Sequence, residues 1–536
     1  MVRIASTETV DVVICGAGPV GLTAAVLLAA RDVRVVVLEQ HRGTSDEPKA
    51  ISIDDESLRV FQQAGVVDRV LPVVVPGTGT RYYDQRGAVL FTARGPRPFR
   101  LGYPFKNPFA QPDLERVLAS TLADARNVEL RFGHRVTGFE HHADRVTVRA
   151  VNDLGEMAID AAYVLGCDGG RSATRLLQDI EMTGRSYPDV WLVIDALADP
   201  HTQRFAMHHG DPKRPHVIVP GQGGRCRYEF RLFEGEGTSD QVPPFELIER
   251  LISPYRPITP DQIERALNYR FNAVVADQWM LGRSFLLGDA AHMMPPFAGQ
   301  GLNSGIRDAA NLVWKIAEVL AGRLDPALLA SYELERRPHA LATVRLSERL
   351  GRVVMTTSQR SADHRDTVIA RALATTEGRT FFEEMRYRPT QRYTEGLLAS
   401  TDRTDLVGIP IGQPLVFDTG THTMCRLDEV LGAGWSLLGV EVAETDWAAA
   451  TPLLRAIAVD PVQITIGELL PHTGRRVLID VDGALVREFT EYTGRFVLIR
   501  PDHFVAAAWL PGDSADIATR VLSWTGFSAE GVLSNG

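Results

Sequence analysis

The chain of 536 residues is long enough for two to four domains, and its 45% hydrophobic and 23% charged residues are typical of a globular protein. A net charge of −10 gives no general attraction for nucleic acid, so an anionic ligand would need local arginines or helix N-termini. The four cysteines, Cys15, Cys167, Cys226 and Cys425, show no CxxC or CxxH spacing, which argues against a disulfide framework and against a zinc site. No metal is expected.

The sequence predicts no membrane segment. The longest uncharged apolar run, residues 20–30, is too short to cross a bilayer. The N-terminal stretch MVRIASTETVD lacks the apolar centre of a signal peptide. We therefore expect a cytoplasmic protein that binds neither nucleic acid nor a membrane.

The first predicted elements form a strand, a helix and a second strand over VDVVICGAGPVGLTAAVLLAARDVRVVVLEQ, residues 10–40. Within this GxGxxG pattern, Gly16 permits the tight turn, Gly18 lets the backbone approach a pyrophosphate, and Gly21 lets the helix pack on the strand. Glu39 ends the second strand, where a carboxylate would accept hydrogen bonds from an adenosine ribose. Glycine triplets also occur in unrelated turns, but the register of the whole unit favours dinucleotide binding and leaves NAD(P) and FAD open.

A further strand, followed by a glycine-rich turn, is predicted over YVLGCDGGRSATR, residues 163–175. Taken alone, the segment indicates a strand-to-helix turn in which Asp168 caps the following helix. Beside a dinucleotide fingerprint, however, it favours a segment that lies next to a cofactor.

Residues 75–103 and about 185–277 alternate in the manner of strands between Gly/Pro turns. In the stretch RYEFR, a period of two places Arg227 and Glu229 on one face and the aromatic residues on the other. One of these faces is expected to meet a pocket, and the other to lie in the core.

In two pairs of neighbouring residues in these strands, only one side chain of each pair can point into a pocket. His208 and His209 are adjacent, so only one of them can point into a pocket, and a metal pair is disfavoured. Tyr82 and Tyr83 fall under the same argument, with core packing as the alternative for each. We take His209 and Tyr83 as the candidates for ligand contact.

The loop GDAAHMMPPFAGQGLNSGIRDA, residues 288–309, contains an acid, two prolines and three glycines before a predicted helix. A loop so restrained and so rich in glycine indicates backbone held close to a ligand. We interpret His292 within it as a structural hydrogen-bonding residue. Beyond the loop the pattern is helical, with predicted breaks at Asp325–Pro326 and Arg337–Pro338.

The three motif segments, in this order, resemble the single-component (class A) flavoprotein aromatic hydroxylases over about residues 10–350. The stretches KAISIDDESLRVFQQAG and FAQPDLERVL resemble the branch that includes 3-(3-hydroxyphenyl)propionate hydroxylase and the polyketide aromatic hydroxylases. Alternating strands and helices after residue 404 more weakly resemble the thioredoxin-like tail of some members. That tail has no CxxC, so a structural or assembly role is expected.

The resemblance implies an α/β fold with a Rossmann-like FAD-binding domain, a β-rich substrate domain and a thioredoxin-like C-terminal domain. The FAD-binding domain is expected to comprise residues 8–74, 104–184 and 278–352. The substrate-binding β domain would comprise residues 75–103 and 185–277. A helical connector would follow at 353–404, and the C-terminal domain at 405–536.

The resemblance also implies the site. The expected FAD contacts are Gly16, Gly18, Gly21, Glu39, Gln40, Lys49, Gln111, Asp168, Asp289, Pro296, Gly299, Gly301, Leu302 and Asn303. The expected substrate contacts are Tyr83, His209, Arg227, Glu229 and Pro295. Gln40 stands where relatives commonly have arginine or lysine. Lys49 stands where an arginine usually meets the flavin, and it keeps the charge but lacks the bidentate fork.

In this interpretation, the loop at residues 288–309 holds the flavin. Asp289 would accept a hydrogen bond from a ribityl hydroxyl, and Pro295 and Pro296 would form a rigid wall beside the ring. Gly299 and Gly301 would let backbone N–H groups approach the ring edge. The following helix would stabilise the negative charge of reduced flavin with its positive end.

The implied activity is that of an FAD-dependent monooxygenase that takes electrons from NADPH or NADH and reacts with O2. It would hydroxylate a phenolic or polycyclic aromatic substrate through a flavin C4a-hydroperoxide. The expected partners are a small aromatic substrate and O2, and a homodimer is the expected assembly. The sequence identifies no catalytic residue that would take the phenol proton.

Alternatives stay open at this stage. Baeyer–Villiger-type oxygen insertion could occur on the same scaffold, although no second GxGxxG domain is visible. A non-catalytic flavin-binding sensor or scaffold would bind FAD without consuming NADPH. A flavin halogenase is disfavoured, because no WxWxIP stretch occurs.

Overall fold

The structure, a computed structural model, describes residues 8–400, 403–457, 459–466 and 475–525. The first seven residues of the N-terminal stretch MVRIASTETVD lie outside this part. Outside it too are residues 467–474 and 526–536 of the predicted C-terminal domain. No helix among the described residues is both long and apolar enough to cross a membrane.

The chain divides into two compact units. The first takes in residues up to 99, 103–309 and 340–389, and the second takes in 100–102, 310–339 and residues from 390 onward. The finer division into four segments stays a prediction, because the two units cut the chain at other points.

The first unit contains a mainly parallel sheet built on the N-terminal strand. Glu8–Cys15 lies between Gly155–Gly166 and Val35–Glu39 and runs parallel to both. Its last four residues are all buried, which requires apolar side chains on both faces. In sheet order the strands are Met280–Leu281, Ser284–Leu286, Gly155–Gly166, Glu8–Cys15, Val35–Glu39 and Val128–Phe132. Val146–Asn152 also pairs with Gly155–Gly166, and Arg135–His141 pairs in turn with Val146–Asn152.

A second sheet of the first unit is mainly antiparallel. Its longest strands, Met182–Ala196 and Ile263–Ala276, pair with each other, and Cys226–Arg231 pairs on the other side of the former. The strand order is His292–Met293, Ile263–Ala276, Met182–Ala196, Cys226–Arg231, His216–Pro220, Ala206–His209, Thr80–Tyr83 and Val89–Ala93. Strands were predicted in both stretches, 75–103 and 185–277, and the structure confirms them there.

Helices complete the first unit. They are Pro19–Ala29, Asp55–Gln63, Val67–Val70, Gln111–Ala123, Ala173–Leu176, Phe245–Ile252, Gln359–Leu373 and Thr376–Glu383. Two long helices, Gly301–Leu320 and Ser331–Val354, contribute residues to both units. A short pair of strands, Ser52–Ile53 and Asn107–Pro108, links two connecting segments.

The predicted helix break at Arg337–Pro338 is wrong. The helix Ser331–Val354 continues through Pro338, although proline removes one backbone hydrogen bond and costs about 3 kcal/mol in a helix interior. Ala340, Val344 and Ser347, on the turns that follow, are buried. Their packing offsets the local cost. The other predicted break holds, since Asp325 caps a short 3-10 turn that starts at Pro326.

The second unit has a mixed sheet with helices. In sheet order its strands are Ala399–Ser400, Val505–Trp509, Arg495–Ile499, Trp435–Val440, Val459–Thr465, Arg476–Asp480, Leu415–Asp418 and Thr423–Arg426. Its helices are Leu427–Leu431, Thr451–Ala456, Ala484–Phe489 and Ser514–Leu522. The three central strands are parallel, the strands on either side of them pair antiparallel, and the edge strand Ala399–Ser400 runs parallel to Val505–Trp509. Strands and helices follow one another after residue 404, as the sequence predicts.

A cluster of buried charges lies inside the second unit, and we call it the closed cluster: Glu335, Arg500 and Lys315. The Arg500 guanidinium donates from both terminal nitrogens to the Glu335 carboxylate at 2.8 Å. The Lys315 ammonium donates to the same carboxylate at 2.8 Å, and the backbone N–H of Leu397 donates at 2.9 Å. All three charged side chains are at most 2% exposed. Each charge is therefore paired inside the protein.

Candidate active site

A cavity of about 1630 Å³ lies in the first unit, between the carboxyl ends of the parallel strands and one face of the antiparallel sheet. Single drug-sized ligands occupy pockets of roughly 300–1000 Å³. The cavity is therefore large enough for a dinucleotide cofactor together with a second small molecule.

The structure brings most of the predicted site residues to this one cavity. Those that line it are Gly16, Gly18, Glu39, Gln40, Lys49, Gln111, Asp168, Arg227, Glu229, Asp289, Pro296, Gly299, Gly301 and Leu302. Those that it does not bring to the lining are Gly21, Tyr83, His209, Pro295 and Asn303. Of the second group, Tyr83 and His209 stack on each other on the opposite face of the antiparallel sheet.

The glycine turn at the start of the first helix leaves open space at one position only. A Cβ added at Gly18 would meet no atom within 4 Å, whereas one added at Gly21 would lie 2.0 Å from the Gly16 carbonyl oxygen. Gly16 has a φ of +102° and lies against the backbone of Cys167. Gly18 caps the helix without a side chain, so the first-turn N–H groups face a gap suited to a phosphate.

Glu39 stands at the cavity end of its strand. One of its carboxylate oxygens accepts from the backbone N–H of Ala17 at 2.9 Å, and the other accepts from the N–H of His41 at 2.9 Å. Each carboxylate oxygen can accept a second hydrogen bond. The group is thus oriented by the backbone and retains acceptor capacity towards the cavity.

Asp168 supports the start of the short helix Ala173–Leu176, although the N-cap is Ser172 and not, as the segment predicts when taken alone, Asp168. Its carboxylate accepts from the backbone N–H of Thr174 at 2.8 Å and from the hydroxyl of Ser172. Burial nevertheless raises the pKa of Asp168, because the carboxyl lies deep beside the cavity. The side chain therefore holds a turn that lines the cavity.

The loop at residues 288–309 borders the cavity and is held from behind by Asn303. The Asn303 carboxamide accepts from the N–H of Asp54 at 3.0 Å and donates to the Gly299 carbonyl at 2.8 Å. Gly299 has a left-handed φ of +62°, and the helix begins at Gly301. Asn303 therefore fixes the shape of the loop from outside the cavity lining.

Two acids in this loop differ in their surroundings. The accessible surface of Asp289 faces into the cavity, and burial raises the pKa of its carboxyl. Asp308, by contrast, accepts from His292 Nε2 at 2.8 Å and from the Gly288 N–H at 3.1 Å, with both side chains fully buried. His292 is thus a structural hydrogen-bonding residue in this fold.

Gln111 orders the segment that carries Lys49. Its side-chain oxygen accepts from the N–H of Ala50 at 2.8 Å, and its amide donates to Glu115 at 2.7 Å. The Lys49 ammonium lies 3.7 Å from Glu47 and is 61% exposed. It can therefore reorient towards an anion in the cavity.

Arg227 and Glu229 face the cavity from the antiparallel sheet, while Tyr228 and Phe230 lie in the core on its other side. The Arg227 guanidinium pairs with Asp195 at 2.7 and 3.0 Å. Burial raises the pKa of Glu229, and Asp195 adds to this effect, whereas Arg227 and Lys106 oppose it.

The prediction that His209 and Tyr83 point into the cavity is wrong. His208 lines the cavity, whereas His209 stacks on Tyr83, with ring centroids 4.3 Å apart, on the opposite face. Tyr82 stacks on His208 at 4.9 Å and lines a smaller side pocket. Both faces of this sheet are buried, so the alternation alone could not tell which face meets the cavity.

Sequence reasoning missed Lys106. It lines both the cavity and the side pocket, and it precedes the short strand Asn107–Pro108. Together with His208 and Glu229 it forms what we call the open cluster, because all three side chains face the cavity. The one sequence signal is a lone cation in the apolar stretch GYPFKNPF.

Three potential metal ligands, Asp199, His201 and Cys226, lie together in the first unit. The Asp199 carboxylate already accepts from the Tyr228 hydroxyl at 2.7 Å and lies 3.5 Å from Arg256. We therefore interpret the group as part of a partly buried hydrogen-bond network around Asp199.

The model of the FAD binding domain family matches residues 9–347 of the chain. This span contains the glycine turn, the Asp168 turn and the loop at residues 288–309. The model of the HcaD C-terminal domain matches residues 408–523.

Curated relatives match over nearly the whole chain. The 3-(3-hydroxy-phenyl)propionate/3-hydroxycinnamic acid hydroxylase of Mycobacterium sp. (strain KMS) is 38% identical over 529 residues, covering 95% of this chain and 90% of that protein. The enzyme of the same name from Burkholderia vietnamiensis (strain G4 / LMG 22486), numbered 2, is 36% identical and covers 93% of each chain.

Solved structures show the same fold. The flavin-dependent monooxygenase PieE, in complex with FAD and substrate, superposes with a TM-score of 0.81 at 22% identity over 97% of this chain and all of that one. Aklavinone-11 hydroxylase, in a ternary complex with FAD and aklavinone, gives a TM-score of 0.78 at 24% identity over 97% and 99% of the two chains.

Proposed function

The chain belongs to the family of FAD-dependent aromatic hydroxylases, and from this premise we propose that it hydroxylates a phenol with a single ring, using O2 and electrons from NAD(P)H. Relatives that are 38% identical over 95% of the chain bear the name of a hydroxyphenylpropionate hydroxylase, which supports a one-ring substrate. The structural neighbours PieE and aklavinone-11 hydroxylase are less than 25% identical and support the fold alone.

The residues that line the cavity fit FAD. The open space at Gly18 and the helix N-terminus beside it suit the pyrophosphate, and the oriented Glu39 carboxylate suits the adenosine ribose. Asp289 is a candidate acceptor for a hydrogen bond from a hydroxyl of the ribityl chain. Gly299 and Gly301, at the start of a long helix, are candidates for the edge of the flavin ring.

The observation that carries the substrate proposal is the cavity-facing Glu229. Bound FAD, once reduced by NAD(P)H, supplies the activated oxygen. The chain must hold the ring, exclude water and accept the phenol proton, because a phenolate is the better nucleophile. An acid whose pKa is raised by burial is a better proton acceptor near neutral pH than an ordinary carboxylate, and Glu229 is such an acid.

A test combines binding, reduction and product analysis. The purified protein should hold FAD without a covalent bond, and 3-(3-hydroxyphenyl)propionate should stimulate NAD(P)H oxidation with formation of a dihydroxyphenyl product. 3-Phenylpropionate, which lacks the hydroxyl group, serves as the control and should yield no hydroxylated product. FAD binding without NAD(P)H oxidation in the presence of any phenol would instead favour a sensor or scaffold, and conversion of a ketone to an ester would favour oxygen insertion.

The proposed function also includes a location in the cell and an oligomeric state. We expect the protein to act in the cytoplasm, where NAD(P)H is available, and to form a homodimer. Light scattering of the purified protein tests the assembly, and fractionation of cells tests the location.

A further inference from the structure

Lys106 lies where the cavity meets a small side pocket of about 30 Å³. The side pocket is lined by polar and aromatic groups from distant parts of the chain. They include Asp54, Tyr82, Phe105, Tyr387 and Arg388. A ligand ring that lay along the antiparallel sheet could place a substituent at this junction.

The Lys106 ammonium has no hydrogen-bond or ion-pair partner among the described residues. Burial lowers the pKa of Lys106 to about 8, and nearby Arg388 contributes, while Glu229 acts in the opposite direction. The neighbouring cation is in a different state, since Arg388 lies 3.5 Å from Asp54 and stacks over the Phe105 ring at 3.9 Å. Lys106 is half-buried, and a cation that is partly withdrawn from water and has no partner gains free energy when a ligand supplies the anion.

We propose that Lys106 binds a carboxylate of the aromatic substrate and so selects aromatic acids. The inference rests on the proposed function and adds the second recognition element of the substrate. Glu229, on the same cavity wall, suits the hydroxyl hydrogen of a phenol, and Lys106 suits an anion. A ring that carries a hydroxyl at one end and a carboxylate at the other complements both groups at once.

The test measures binding rather than turnover, so that it stays independent of the hydroxylation step. The probes are 3-(3-hydroxyphenyl)propionate and its methyl ester, and the readout is the change in flavin absorbance of the FAD-bound protein. In Lys106→Met, Kd for the acid should rise about 10- to 100-fold, because charge-assisted hydrogen bonds contribute roughly 1.5–3 kcal/mol. Kd for the ester should stay unchanged.

The controls isolate the charge. Lys106→Arg should retain part of the affinity for the acid. Lys213→Met makes the same chemical change at an exposed turn in the first unit and should alter neither constant. If Lys106→Met bound the acid as tightly as the unmodified protein, the proposal would be overturned. If both acid and ester weakened equally, Lys106 would contact the phenolic oxygen instead, which also overturns it.

The unmodified protein supplies a second measurement that needs no variant. Lys106 loses its charge as the pH rises above about 8, so the affinity for the acid should fall there while the affinity for the ester does not. The groups that face Lys106 and bear on its titration are Asp54, Tyr82, His208, Glu229, Tyr387 and Arg388. A difference in binding between acid and ester without any hydroxylated product would support Lys106 and refute the proposed function.

Discussion

Two clusters of charged side chains in this protein differ in where their partners lie. In the closed cluster, Glu335 accepts hydrogen bonds from Arg500, Lys315 and the backbone of Leu397, so every charge has its partner in the protein. In the open cluster, Lys106, His208 and Glu229 face the cavity.

The difference is also visible in the acids. Burial alone would raise the pKa of Glu335, but Arg500 and Lys315 outweigh it and hold the pKa at about 2. Burial raises the pKa of Glu229, and its neighbours do not reverse this. A buried charge that is fully paired serves folding, whereas one turned to a cavity is available to a ligand.

Breaking the closed cluster should have the largest effect, and the effect should be on folding. Glu335→Gln should lower the free energy of unfolding by about 3–5 kcal/mol, because it leaves the Arg500 and Lys315 cations buried without a full partner. The folded pKa of Glu335 lies below its ordinary value of 4.5, so its contribution is present above pH 4.5 and is lost as the pH falls towards 2. Urea unfolding at several pH values measures both effects.

The control for this prediction is an exposed ion pair in the same unit. Arg403 pairs with Asp405 at 2.7 Å in solvent, and Arg403→Met should leave the urea midpoint unchanged. Equal midpoints for Glu335→Gln and the unmodified protein would show that the closed cluster contributes nothing to folding.

The same substitution in the open cluster should affect catalysis instead. Glu229→Gln should lower the rate of hydroxylation about 100-fold, the usual order for loss of a general base. Because the folded pKa of Glu229 is raised, its ionised form opposes folding at neutral pH, and the variant should be as stable as the unmodified protein or more so. Single-turnover kinetics and urea unfolding together decide this, and a large loss of stability would contradict the comparison.

Two glycines of the first turn should respond differently to the same substitution by alanine. Gly18→Ala places a methyl group in open space that we assign to the pyrophosphate, so FAD affinity should fall about tenfold while the apoprotein stays folded. Gly21→Ala would place its Cβ 2.0 Å from the Gly16 carbonyl oxygen, so the apoprotein itself should lose stability. Titration with FAD and thermal melting of the apoproteins separate the two outcomes.

The smallest expected effect concerns the neighbouring histidines. His208→Ala should raise KM for a phenolic acid a few-fold, because His208 lines the cavity beside Lys106. His209→Ala removes a ring that stacks on Tyr83 and should leave KM unchanged. If His209→Ala changed KM more than His208→Ala, the assignment of the sheet faces would be wrong.

The sequence predicted the parts of the site that depend on local spacing. The glycine turn, the Glu39 carboxylate and the loop around Asp289 all reach the cavity, because each sits at the end of a strand whose register is fixed by buried apolar residues. The roles of these residues as cofactor contacts stay predictions.

The rest of the site depends on contacts between distant segments. His208 and His209 could not be told apart, because both faces of their sheet are buried. Lys106 has no motif around it, and its surroundings come from Tyr82, Glu229 and Arg388, which are far apart in the chain. Such positions become visible only when the sheets are assembled.

Two of the cysteines line the cavity itself. Cys15 and Cys167 are buried, and burial raises the pKa of both thiols, with Asp168 adding to the effect. Oxidants attack the thiolate rather than the thiol. Any hydrogen peroxide that escapes from unproductive turnover therefore meets two sulfur atoms held in their unreactive form, which protects the glycine turn from oxidative damage at the place where the oxidant arises.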